Sequence, residues 1–232
     1  MGALSRFDEL DRRIVALAVP ALGALIVEPL YNLTDSAIVG HLGTVPLGGL
    51  AVAGAGLNVV GWTAAFLEMA TVSVVAFRRS SGDGEGASRA IGAAYFLSGL
   101  LGFAVTGLIE LIAPLMVSVL GGRGGVAAAA VTYLRIAALG MPVLLVALAG
   151  NGHLTGLEDT RRPLYIALGA NLVNVATEVL FVYVFHFGIA GSAWGTVVAQ
   201  CIGALLFAVA SRRAAIRPGR PRSHEVRALL RA

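Results

Sequence analysis

Two carboxylates stand in this chain where a carboxylate is costly. Glu178 lies inside the apolar run NLVNVATEVLFVYVF, four residues after Asn174, and Asp35 lies inside LIVEPLYNLTDSAIVG. An ionisable side chain at the centre of a bilayer costs about 2.5–3.5 kcal/mol on insertion scales, so it is kept where a polar partner or a water-filled cavity offsets that cost. Two such acids on separate helices can share a proton or hold a cation between them. That is the chemistry of a transport site, and it breaks no covalent bond. No nucleophile–base constellation and no cluster of metal-ligand residues accompanies them, so the sequence does not read as an enzyme, and no cofactor is expected beyond a coupling ion.

The neighbours of both acids follow helical spacing, since positions i, i+3, i+4 and i+7 share a face. Glu28, Tyr31, Asn32 and Asp35 form one polar stripe; Asn171, Asn174 and Glu178 form a second; Thr196 and Gln200 sit one turn apart on a third segment. Beside the third stripe, Gly191, Gly195, Ala199 and Gly203 make a small-residue ridge that admits a second backbone. If the three faces converge, they line a polar pocket. Asp35, Asn174, Glu178 and Thr196 are then its primary ion- or substrate-binding candidates, with Glu28, Tyr31 and Gln200 as secondary ones. The amides and hydroxyls also fit a network that only glues helices together; the carboxylates do not, because neutral amides would do that at lower cost. Glu68 is a further intramembrane acid without a stripe of its own. Pro20 and Pro29 each remove a backbone hydrogen bond from the first apolar segment, which makes either a fixed bend or a hinge that moves Asp35 relative to Glu178.

The elements that must carry these residues are membrane spans. Of 232 residues, 57% are hydrophobic and 13% charged, against about 45–50% and about 25% in soluble domains. About 20 apolar residues cross the ~30 Å hydrocarbon core, and six segments qualify: approximately 14–39, 50–77, 90–111, 132–154, 164–187 and 191–210. The expected organisation is an amphipathic entry segment (1–13), a six-helix transmembrane lobe (14–211) and a basic tail or inter-lobe linker (212–232). All 17 basic residues are arginine. With the N-terminus inside, fifteen fall on the inner side and Arg123 and Arg135 on the outer, which places both termini in the cytoplasm. The basic tail reads as a solvated loop beside anionic lipid, and nothing supports nucleic acid as a partner. Cys201, in an apolar run, reads as a small core residue, and Glu110 as an acid near the outer interface.

The segments RRIVALAVPALGALIVEPLYNLTDSAIVGHLGTVPLGGLAVAG, GLEDTRRPLYIALGANLVNVATEVLFVYVF and GIAGSAWGTVVAQ resemble the multidrug and toxic compound extrusion transporters, in the subgroup related to DNA-damage-inducible protein F. The resemblance implies an all-α membrane protein, one six-helix lobe of two arranged as parallel repeats. It also implies export of small amphipathic, often cationic organic compounds across a bacterial plasma (inner) membrane, coupled to inward flow of protons or sodium. By motif, the family's ion pocket falls on Asp35, Asn174, Glu178 and Thr196, and its first-helix proline on Pro20. Many relatives have aspartate at the position of Glu178. The length fits the N-terminal half of such a transporter, so a second six-helix lobe is the expected partner. Two other readings stand beside this one: a lipid-linked precursor flippase of the same superfamily, and a non-transporting membrane half that acts as an assembly partner.

Overall fold

The computed structural model describes residues 2–221 and Val226; within the first helix, side chains up to position 28 are described only in part. The chain is built from helices: α1 (Gly2–Gly40), α2 (Thr44–Ser80), α3 (Gly84–Val119), α4 (Gly124–Ala138), α5 (Met141–Gly156), α6 (Arg161–Val179) and α7 (Ile189–Arg212). A π-helical turn, Leu180–Val184, follows α6 directly. No strand occurs among the described residues.

Among the described residues, α2, α3, α6 with its π-helical turn, and α7 are each long and apolar enough to cross a membrane, and α4 and α5 are so only when taken together as one bent pair. The run 14–39, expected as the first span, lies wholly within the 39-residue α1. The expected entry segment 1–13 is not set off by any break, because α1 is helical from Gly2; the side chains of Phe7 and Leu10, which define its apolar side, lie outside the described ones.

Two expected spans differ in detail. The fourth, read as one helix over 132–154, is bent by 56° between α4 and α5. Pro142, at the start of α5, has no N–H to give, so the helical ladder breaks just before it. The carbonyl of Ala138, at the end of α4, instead accepts from Thr106 Oγ1 at 2.6 Å. The fifth runs from Arg161 through the π-helical turn to Val184, three residues short of the expected end.

Lipid tails are as apolar as leucine, so packing between helices rests on close van der Waals fit instead of a hydrophobic drive. Small residues supply that fit at every major seam. A Cβ on Gly49 would meet Ala129 Cβ at 2.6 Å (α2 on α4), and one on Gly150 would meet Phe207 Cβ at 2.7 Å (α5 on α7). Gly152 and Gly156 of α5 sit against the α2 backbone at Glu68 and Val72, and Gly102 of α3 sits on Pro142. The most extensive seam joins α6 to α7, and α1 packs chiefly on α6. Outside these seams, bulky apolar residues such as Phe66, Phe103, Leu111 and Leu172 are exposed, the face that a bilayer covers. Cys201 is exposed as well, not a core residue: the packed face of α7 passes through Gly195, Ala199 and Gly203.

The tail also departs from expectation. Its arginines, Arg212, Arg213, Arg217 and Arg220, are exposed, but its backbone is docked. Gly219 N–H donates to Ser88 O at 2.8 Å, and Ser88 Oγ donates to Arg217 O at 2.8 Å. The fully buried His153 holds Ile216 O through Nε2 at 2.9 Å and meets Ser211 Oγ through Nδ1 at 3.0 Å. Glu110 is paired with Arg135, whose Nε lies 3.6 Å from its carboxylate.

The α2–α5 seam yields a test. Gly156→Val places a Cβ 2.8 Å from Val75 Cβ and 3.0 Å from Val72 O, and overpacking of this kind costs about 1–3 kcal/mol. The expected result is a lower melting temperature in detergent micelles for this variant alone. Gly107→Ala, where a Cβ meets no heavy atom within 4 Å, is expected to melt with the parent chain.

Candidate functional site

The polar stripe of α1 meets those of α6 and α7 because the contact faces of these helices are small. A Cβ on Gly195 would lie 3.1 Å from both Cα and N of Glu178, and one on Gly191 would lie 2.9 Å from the Phe181 carbonyl carbon. No larger residue fits between the two backbones there, so α7 delivers its hydroxyls directly beside the acid of α6. The π-helical turn then adds a tie to α1: its wider ring closes with Phe185 N–H on Leu180 O at 3.0 Å, and Tyr183 Oη donates to Ile38 O at 2.9 Å. That bond falls one turn beyond Asp35.

Within this frame, Asp35 Oδ1 accepts from Ser192 Oγ at 2.7 Å. Tyr31 Oη lies 3.0 Å from Thr196 Oγ1, and Asn174 Nδ2 donates to the same hydroxyl at 3.4 Å. Thr196 Oγ1 in turn reaches Ser192 O at 3.2 Å, so the two hydroxyl residues of α7 form one ladder. Glu178 is wholly buried, beside Asp35 and Ser192. Tyr133 of α4, 3% exposed, closes the pocket next to Tyr31 and Thr196. Asp35 is 5% exposed and Asn174 2%. Both acids are thus held away from bulk water, on neighbouring helices.

The polar accounting does not close. Both carboxylate oxygens of Glu178 and the amide oxygen of Asn174 are buried without a hydrogen-bond partner. Among the described residues, neither acid takes part in an ion pair with a base. Leaving a buried acceptor unpaired costs about 1–3 kcal/mol, more for a charged one. Three unpaired oxygens next to a second carboxylate therefore form a place that a proton or a hard cation would stabilise. The chemistry of this donor set, all oxygen and no thiol or imidazole, suits a proton or an alkali cation better than a transition metal; no group of three or more His, Cys, Asp or Glu residues gathers among the described residues.

Of the residues singled out from sequence, Asp35, Asn174, Glu178, Thr196 and Tyr31 are brought together. Gln200 is not. Its side chain lies against Gly140 at the α4–α5 bend, with its amide oxygen buried and unpartnered. The side chains of Glu28 and Pro20 lie outside the described ones, while Pro29 is exposed and α1 is helical through it. Asn32 is exposed and Asn171 half-buried. Two members of the pocket were missed. Ser192 is one turn before Thr196 on the same face, and that spacing was the available signal. Tyr133 sits alone in an alanine-rich helix and carried none.

The MatE family model matches residues 20–180. DNA damage-inducible protein F of Escherichia coli is 29% identical over 191 residues, covering 82% of this chain and 42% of that protein. Protein DETOXIFICATION 44, chloroplastic, of Arabidopsis thaliana is 27% identical over 210 residues, covering 85% of this chain and 40% of its own length. Among solved structures, one described as MATE in the bent conformation superposes with a TM-score of 0.88 at 25% identity, over 95% of this chain and 51% of that one. An outward-facing conformation of a multidrug resistance MATE family transporter of the MOP superfamily gives 0.86 at 25% identity, over 94% and 50%. The chain spans about half the length of the proteins it matches.

Ser192→Ala removes the donor to a buried carboxylate. The expected loss is about 1–3 kcal/mol of stability, read as a lower melting temperature in detergent. Ser192→Thr, which keeps a hydroxyl, is expected to recover most of it.

Proposed function

The chain belongs to the MatE family, and on that premise we propose that it forms the N-terminal six-helix lobe of a secondary active transporter. The transporter exports amphipathic organic cations across a bacterial inner membrane in exchange for protons or sodium, with both ends of this lobe in the cytoplasm. A second six-helix lobe supplies the opposite wall for alternating access. The observation that carries this reading is the wholly buried Glu178, beside Asp35 and without a hydrogen-bond partner on either oxygen.

Two carboxylates this close in a poorly screened interior repel when both are charged. They behave as one coupled unit that binds a single proton, or a single cation, more readily than either acid does alone. With the proton bound, α1 can close onto α6 and α7. When it leaves, the pair carries excess negative charge and favours an organic cation. Exchange is directional only if the two ligands favour different packings of the lobe. Ser192 orients Asp35, Thr196 ties Tyr31 to Asn174, Asn174 offers its unpaired oxygen, and Tyr31 and Tyr133 wall the pocket against lipid.

Sodium is the second reading of the coupling ion, favoured by one observation. Three unpaired oxygens, on Glu178 and Asn174, are more than one proton needs, whereas a hard cation takes several. A lipid-linked precursor flippase needs a basic pocket for phosphate, and the ionisable groups gathered here are acids and tyrosines.

The test is proton release on adding ethidium to the detergent-purified chain in weak buffer, with and without sodium. The expected result is release in the parent chain that vanishes in Asp35→Asn and in Glu178→Gln. Suppression by sodium would identify sodium as a competitor for the same pocket. Release that persists in both variants would place the coupling elsewhere.

A further inference from the structure

The π-helical turn after Glu178 carries a side chain that reaches α1 outside the acid pocket. In an α-helix each residue turns about 100°, so Tyr183, five residues after Glu178, would stand about 140° around the helix from it. A turn that closes on the fifth residue rotates less per step. Over Leu180–Val184 this brings Tyr183 back toward the side of Glu178, where Asp35 lies. The turn itself is held firmly. Phe185 N–H closes on Leu180 O at 3.0 Å and Phe187 N–H on Phe181 O at 2.9 Å. The rings of Phe181, Phe185 and Phe187 pack on one another with centroids 5.7–6.2 Å apart, and Gly191 of α7 seats its backbone against Phe181. Tyr183 therefore stands on a fixed element.

Its acceptor is a helix end. α1 stops at Gly40, where Leu42 N–H turns to Val39 O at 3.0 Å and Gly43 N–H to Gly40 O at 3.2 Å. The last four carbonyls of a helix lack their usual backbone partner. Ala37 O is met by His41 Nδ1, from the same end of α1. Ile38 O is met from another helix, by Tyr183 Oη at 2.9 Å. Ile38 and Asp35 are three residues apart and both buried, so they share a face of α1. The ring of Tyr183 is 40% exposed, which leaves the hydroxyl as its main hold on α1. Two other bonds, Ser192 to Asp35 and Tyr31 to Thr196, tie α1 to α7 inside the pocket. Those two involve the groups that meet the ion and change when it does. The Tyr183 bond involves none of them, so it opposes a movement of α1 whatever the pocket holds.

We propose that Tyr183 is a positioning residue for the acid pair: its hydroxyl latches the outer end of α1 in the packing that sets Asp35 against Glu178, and so holds back the state that takes an organic cation. This rests on the reading of Asp35 and Glu178 as the coupling site, and adds the residue that weights the two packings. A ligand's apparent affinity falls with the fraction of protein in the competent state. A latch on the other state therefore weakens cation binding without touching the cation.

The test compares Tyr183→Phe, which removes one oxygen atom, with the parent chain in detergent. The ethidium concentration giving half-maximal proton release is expected to fall about two- to tenfold, the effect of one net hydrogen bond. The number of protons released at saturation is expected to stay the same. A merely structural tyrosine predicts the opposite sign, because a loosened fold binds worse. Amide hydrogen exchange over residues 36–42 is expected to speed up in Tyr183→Phe, with exchange in α3 unchanged. Tyr165→Phe, at an exposed ring of α6, is the control and is expected to match the parent in both measurements. Unchanged exchange over 36–42, or an ethidium midpoint that stays or rises, overturns the proposal. Failure of the acid-pair reading shows separately, as release absent from the parent or surviving Asp35→Asn and Glu178→Gln. Either of those results overturns both readings, whereas a failed midpoint with the acid variants silent overturns the latch alone.

Discussion

A carboxylate without water must be answered by something, and in this lobe the answer shapes the packing. Glu178 is enclosed by α1, α6 and α7, and its burial is possible because Gly195 lets α7 lie against its backbone. A larger residue at 195 would hold the helices apart and admit lipid or solvent to the acid. The same approach brings Ser192 to Asp35 and Thr196 to Tyr31 and Asn174. One seam between helices therefore sets the burial of one acid, the orientation of the other and the path of α1 across both. Disturbing the seam would alter all three together.

The fold was largely legible in the sequence because its cause is compositional. Long apolar runs between arginine-bearing breaks admit few arrangements other than membrane helices. The pocket was legible where its residues repeat at helical spacing, as Tyr31 and Asp35 do on one helix and Asn174 and Glu178 on another. What escaped were facts about neighbours. Thr196 and Gln200 share a face of α7, yet they lie a turn apart along the membrane depth, where α7 passes first the acid pocket and then the α4–α5 bend. Periodicity resolves the angle around a helix and says nothing of which neighbour stands opposite at each level. Tyr133 enters the pocket from an alanine-rich helix with no second polar residue one turn away on its face, so no stripe announced it. The break before Pro142 did have a signal in Gly140 and Pro142 themselves, but the hydropathy of the run masks it.

The three intramembrane acids also show how similar residues come to differ. Asp35 and Glu178 face each other in a closed pocket and are coupled by proximity. Glu68 is half-buried, takes its hydrogen bond from Asn151 on α5 and lies on a face of α2 distinct from its bulky apolar one. Desolvation and a like-charged neighbour act on the first two; the third is half-buried and accepts from a neutral amide. The sequence presents all three as acids in apolar runs, and only their surroundings assign them different chemistry.

The segment after α7 is fastened through its main chain: His153 and Ser88 hold the carbonyls of Ile216 and Arg217, and Gly219 gives its N–H to Ser88. Such a fastening recognises a route and is indifferent to most of the letters written along it. Side chains at 215–218 can drift, gain charge or lose it, while the segment stays moored to α3 and α5. Only position 219, where a methyl group would collide with Ser88, is bound to its spelling. A segment fastened in this way keeps a constant path while its outer surface is free to change.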